Sequence, residues 1–175
     1  MDETRLRSML EQHHAVSYGW ALNCCSRDPV EAEDVLQTVY WKVLDGRARY
    51  DGRAAFKTWL FAVIRRTAAG ERRRLWLRKL GLTRYERAQD GPVHHDRPAE
   101  KMERSEAQAA LRDALARLPR RQQEVLHLVF YQDLSVQEAA VAMGVSVGSA
   151  RTHYERGKAR LRETLRLSEN FNERG

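Results

Sequence analysis

The sequence predicts an all-α protein: two small helical domains joined by a flexible linker, the C-terminal one containing a helix-turn-helix. Three observations predict it. Apolar residues recur at three- and four-residue spacing along most of the chain, as one buried helix face requires. Glycine and proline are sparse, at 10 and 4 of 175 residues, and no long Val/Ile/Thr alternation marks a strand. The periodicity fails across residues 81–104 and then resumes, which sets domains at 1–80 and 105–170 around a linker.

The first helix is expected from Thr4 to about Cys24, with Leu6, Leu10, Val16 and Trp20 on its stripe. A break at Ser26–Asp28 precedes a sharper start: Asp28 can cap, Pro29 suits the first helical position, and Glu31 follows three residues after the cap. In EAEDVLQTVYWKVLD the pairs Val35–Leu36, Val39–Tyr40 and Val43–Leu44 predict one buried stripe, opposite Glu31, Asp34, Gln37, Thr38 and Lys42. The basic, glycine-punctuated connection GRARYDGRAA follows. A helix beginning near Ala54 should bury Phe56, Trp59, Leu60, Val63, Ile64 and Thr67. It runs on into ERRRLWLRKL. Between Arg65 and Lys79 seven Arg/Lys residues stand against one Glu, which predicts a cationic ridge on a helix that also has a core face.

The stretch TRYERAQDGPVHHDRPAEKMER mixes both charges with two prolines and a glycine and reads as linker; its His94 and His95 read as solvated. Order returns at Ser105, where Ser105 and Gln108 suit a capping box, and Leu111, Leu115 and Leu118 stack at helical spacing up to Pro119. RRQQEVLHLVFYQD should then bury Val125, Leu126, Val129 and Phe130. Two short helices close the pattern. Ser135 caps the first, with Glu138 three residues on. Ala139 and Ala140 let a neighbour cross closely, Gly144 suits a positive φ at the helix end, and Ser146 caps the second. That layout is a helix-turn-helix. Its second helix should turn Val147, Ala150, Tyr154, Gly157 and Leu161 inward. Ser149, Arg151, Thr152, Glu155, Arg156 and Lys158 remain for the other side and its flanks. Small residues at the leading end let backbone approach a groove, and the arginines can reach base edges or phosphates.

Composition narrows the function classes. A formal charge of +7 and a sequence pI near 9.8 suit a polyanionic partner. The two cysteines, Cys24 and Cys25, are neighbours, so no disulfide framework exists, and His13 and His14 upstream give no recognisable zinc spacing. Packing is the expected role of both thiols. No paired carboxylates in a pocket-like context, Gly-rich phosphate loop or His-Glu-x-x-His spacing is present, which argues against an enzyme and predicts no metal and no cofactor. MDETRLRSML has no apolar signal core and no run reaches membrane-spanning length, so a cytoplasmic protein without membrane insertion is expected.

Two segments together resemble one family, the bacterial RNA polymerase sigma factors of the extracytoplasmic-function (ECF) group. The first is EAEDVLQTVYWKVL followed by RYDGRAAFKTWLFAVIRRTAAGERRR. The second runs from ALARLPRRQQEVL to GSARTHYERGKARLRETL. The resemblance implies a protein that binds core RNA polymerase and directs it to promoter DNA through −10 and −35 elements. It places polymerase docking on Asp34 and Gln37, with Glu31 and Glu33 nearby; Thr38 stands where the family usually has Glu. It places −10 recognition and melting on the loop residues Tyr50, Asp51, Gly52 and Arg53 and on the helix residues Lys57, Arg65, Arg66 and Arg73. Arg66 and Gly70 replace the family's common Asn and Asp. Phe56 and Trp59 stay open between core residues and melting wedges. The −35 reader falls on Ser149, Arg151, Thr152, Glu155, Arg156 and Lys158, with Glu155 either accepting from a cytosine amino group or pairing with Arg151. An anti-sigma factor is a further partner the resemblance implies. The rival reading is a stand-alone helix-turn-helix regulator that does not join polymerase, which would need a sensor or dimerisation domain in place of the N-terminal half.

Overall fold

The computed structural model describes residues 3–82, 111 and 113–172, with side chains as far as Arg166. Most of the expected linker, His94, His95 and the Ser105–Gln108 box lie outside the described residues. Among those described, every regular element is a helix.

The first helical stretch is two helices, α1 (Glu3–Gln12) and α2 (His14–Cys24), not one. His13 sits between them at φ −99°, ψ 4°, and its Nδ1–H donates to the Met9 carbonyl at 2.8 Å. The side chain thereby takes up a carbonyl beside the break. Next, α3 (Pro29–Leu44) starts as its sequence predicts: Asp28 Oδ1 accepts from the Val30 and Glu31 amides at 2.9 and 3.1 Å. Its stripe of Ala32, Val35, Leu36, Val39 and Val43 is buried, but Leu44, in the last turn, is 36% exposed.

The long helix α4 (Phe56–Leu82) changes character halfway. Phe56, Leu60, Phe61, Val63, Ile64 and Ala68 lie in the core, and Thr67 with them. From Arg73 onward every described side chain is exposed, Leu75, Trp76, Leu77 and Leu80 included. The cationic ridge therefore has no core face in its final turns. Gly81, expected to open the linker, still belongs to the helix.

The second half consists of α5 (Arg120–Phe130), α6 (Val136–Met143) and α7 (Val147–Asn172). Ser135 and Glu138 form a reciprocal capping box. Hydrogen bonds from the Ser135 backbone and hydroxyl hold the Glu138 carboxyl below its usual range. Gly144 closes α6 at φ +64°, which an L side chain rarely adopts, and Ser146 Oγ caps α7 by accepting from the Ser149 amide at 3.1 Å. Ala150 and Gly157 of α7 are buried as expected. A Cβ on Gly157 would lie 3.1–3.3 Å from Leu126 and Gln122, so this glycine sets how closely α7 approaches α5. Two expected core residues are exposed, Val147 at 41% and Phe130 at 55%, and Val129, Tyr154 and Leu161 are half-buried. Both exposed residues sit at helix ends, where Phe130 stacks on Tyr154 at 6.0 Å. Leu128 and Glu124 are buried in α5 instead.

Both halves contribute to one continuous core. Trp20, Phe61 and Ile64 share a cluster with Leu126, Leu128 and Met143. It closes where α6 packs along α4 and α5 packs on α2. Each fully buried Leu or Ile in it contributes about 2 kcal/mol.

Candidate nucleic-acid interface

Three surfaces carry the residues singled out above. On α3 the buried stripe forces Glu31, Glu33, Asp34 and Gln37 outward, and all four are exposed. Trp41, which sequence reasoning passed over, lies two turns beyond Asp34 and is 53% exposed. The Arg47 guanidinium sits 4.3 Å over its ring and pairs with Asp45 at 2.8 Å, so the indole is held in place. A tryptophan seven residues from Asp34 and four from Gln37, yet off the apolar stripe, was the readable signal. The same cleft that Glu31, Asp34, Gln37 and Thr38 line is closed on its far side by Arg72, Arg74 and Arg78 of α4.

The second surface is the loop before α4. Tyr50 is half-buried: its ring packs on Phe56 and Trp59, both at 5.3 Å, and its hydroxyl donates to the Ala54 carbonyl at 2.6 Å. It shapes the loop and is not presented as a free stacking ring. Asp51 Oδ1 accepts from the Arg53 amide at 3.1 Å and Gly52 turns at φ +75°, leaving Asp51, Gly52 and Arg53 exposed at the tip. Phe56 is core, whereas Trp59 is only half-buried. Trp59 stands in a cleft whose walls carry Lys42, Arg47, Arg49, Arg66 and Arg74. Of these cations the sequence singled out only Arg66 as a site residue; Arg74 stood unassigned in the cationic ridge, and Lys42, Arg47 and Arg49 come from α3 and the loop, so the set meets only in the fold. An aromatic edge among five cations can hold single-stranded nucleic acid by stacking and phosphate attraction. Arg73 is exposed along the same helix. Arg65 and Lys57 face elsewhere: Arg65 Nε pairs with the Glu124 carboxylate at 3.1 Å, and the Lys57 ammonium donates to the Gln132 carbonyl.

The third surface is α7. Ser149, Arg151, Thr152, Glu155 and Arg156 are exposed together. Two hydroxyls are engaged locally, Ser149 with Ser146 at 2.9 Å and Thr152 with the Gly148 carbonyl at 3.0 Å, so Arg151 and Arg156 have the longest free reach. Glu155 pairs with Lys158 at 3.7 Å instead of with Arg151. A Glu placed N-terminal to its Lys is the favoured orientation on a helix. Lys158 is drawn back over the Tyr154 ring at 4.8 Å, and its side chain is 26% exposed.

Cys24 belongs to none of these surfaces, whereas Cys25 lines the cleft between α3 and α4. Both are buried; burial pushes the Cys24 thiol well above its ordinary range and the Cys25 thiol up to about 11.

Comparison with known proteins matches the two halves separately. Residues 9–78 fit the sigma-70 region 2 family and residues 108–161 fit sigma-70 region 4. The chain is 34% identical to the RNA polymerase sigma-E factor of Streptomyces avermitilis over 79% of its own length and 73% of that protein's. It is 31% identical to the ECF RNA polymerase sigma factor SigX of Bacillus subtilis, over 81% and 74% respectively. The sigma factor RpoE of Bartonella quintana, solved with the anti-sigma factor NepR, shares the fold at a TM-score of 0.69 and 21% identity, with 92% and 96% of the two chains covered. The region 2 match occupies the part of the chain where a stand-alone regulator would need its sensor, and that reading falls. With both regions present in order, and with relatives of this identity, the chain belongs to the ECF group of RNA polymerase sigma factors, which bind core polymerase and direct promoter-specific initiation.

Proposed function

We propose that the exposed face of α3 docks on core polymerase, that the loop 49–55 with α4 takes the −10 element and its opened strand, and that α7 reads the −35 element. The observation that carries the docking assignment is the grouping of Asp34, Gln37 and Trp41 on the one side of α3 that its buried stripe leaves outward. A braced aromatic beside a carboxylate and an amide has the make-up of an interface hot spot. Domain bounds of 1–80 and 105–170 fit this division. Catalysis belongs to the polymerase; this chain supplies address and strand capture, and it works in the cytoplasm with the enzyme. None of the helices among the described residues is long and apolar enough to cross a membrane.

An anti-sigma factor is a partner of the same reading, since the B. quintana relative was solved with one. Such an inhibitor would act by competing for α3 or by holding the two halves apart from promoter spacing. Asp34→Ala and Trp41→Ala should each weaken assembly with core polymerase about tenfold, measured by fluorescence anisotropy of the labelled full chain. Unchanged assembly in both would remove α3 from the docking role.

A further inference from the structure

The end of α4 carries a surface that neither the core nor the clefts described above account for. From Arg73 to Gly81 every residue is exposed, Leu75, Trp76, Leu77 and Leu80 among them, with Trp76 at 60%. Leu75 edges the cleft toward α3, but Trp76, Leu77 and Leu80 line neither that cleft nor the one around Trp59. Large apolar side chains grouped this closely in water mark a contact surface.

Their spread around the helix tells what could cover them. Successive residues stand about 100° apart, so Leu75, Trp76 and Leu77 span about 200° with Trp76 at the centre and Leu80 about 40° from it. A partner helix covers a stripe of about 100° and would leave half of this arc wet. A bilayer boundary takes in such an arc at once. Charge narrows the choice further. Arg73 and Lys79 fall about 60° to either side of Trp76, and both are exposed. Arg74, on the opposite side, is paired with Glu71 at 3.1 Å. Long basic stems lie along apolar surface while their heads reach the phosphate level. Two copies of this end would bring like charges together. Duplex DNA would satisfy the cations but offers the leucines nothing apolar to enter.

We propose that the end of α4 is a peripheral membrane site for anionic lipid. Trp76 and the leucines enter the headgroup–acyl boundary, and Arg73 and Lys79 meet lipid phosphates. The site lies beyond the assignments made under the proposed function and touches them only at Arg73, which cannot hold a lipid phosphate and a strand phosphate at once. Membrane holding and strand capture therefore exclude each other at this residue.

The test is co-sedimentation of the full chain with vesicles of mixed phosphatidylglycerol and phosphatidylcholine, set against vesicles of phosphatidylcholine alone. The chain should partition to the anionic vesicles. Trp76→Ala should reduce that partitioning about tenfold, as loss of a largely buried indole does, and Lys79→Ala about fivefold. Binding of a duplex oligonucleotide should be the same for Trp76→Ala and the parent, because phosphate attraction makes no use of the indole. No partitioning to anionic vesicles would overturn the proposal. Equal partitioning of parent and Trp76→Ala would also overturn it, by tracing the attraction to the chain's overall positive charge. Weaker duplex binding by Trp76→Ala, with vesicle partitioning unmoved, would make this end of α4 a nucleic-acid surface instead.

Discussion

Apart from Lys158, the residues assigned to DNA on α7 are exposed as a group, whereas those on α4 are divided between an open cleft and a side lying under another helix. Both helices are long and both are arginine-rich. The difference comes from what each buries. α7 buries only Ala150 and Gly157 fully, with Tyr154 and Leu161 half-buried beside them, so its approach to α5 is closest at Gly157 and the opposite side stays clear. α4 buries large residues over its first half, and its remaining flank is wide enough for α6 to lie along it. A reading face on a narrow seam is displayed by local sequence; one on a wide helix depends on what docks beside it.

The largest effect should come from widening the narrow seam. Gly157→Val would push branched carbons into Leu126 and Gln122, where even a first carbon would stand 3.1–3.3 Å away. Overpacking of this kind costs about 3 kcal/mol, read as a lower urea midpoint. An unaltered midpoint would mean that α7 can slide off α5 freely and that the contrast between the two helices is not one of seam width. A smaller and more selective effect is expected from Arg156→Ala. It should lower transcription from promoters that depend on the upstream element about tenfold, as loss of one good base or phosphate contact does. Equal loss on templates lacking that element would move the upstream reader off α7.

The same contrast explains what the sequence made legible. The Asp28 cap, the Ser135–Glu138 box, Gly144 and the outward set on α7 were all readable because each depends on neighbours within four residues. The division of α1 from α2 was not, since it turns on one His13 side chain bonding to a backbone carbonyl. Nor was the basic cleft around Trp59, whose cations come from three elements. Glu124 was the least visible. In RRQQEVL it looks like an ordinary surface charge, and only the approach of Arg65, fifty-nine positions earlier, makes it a buried one.

The smallest predicted effect tests the joint between the two halves. His127 lies against Trp20 at 5.5 Å and Tyr131 at 5.4 Å, with the Gln132 amide 3.3 Å from its Nε2. Burial, with the positive field of Arg27 added, lowers its pKa from 6.5 to about 4. The imidazole is therefore neutral in the folded chain at a pH where the unfolded chain already holds the proton. Stability is full above the unfolded value and is lost as pH falls from 6.5 toward 4, by about 1 kcal/mol near pH 5.5. His127→Phe keeps a ring against Trp20 and removes the titration, so its thermal midpoint should change less than the parent's between neutral and mildly acid buffer. Equal sensitivity in both proteins would place the acid-labile contact away from this joint, and the covered side of α4 would then owe its closure to the Glu124 cluster and the apolar packing alone.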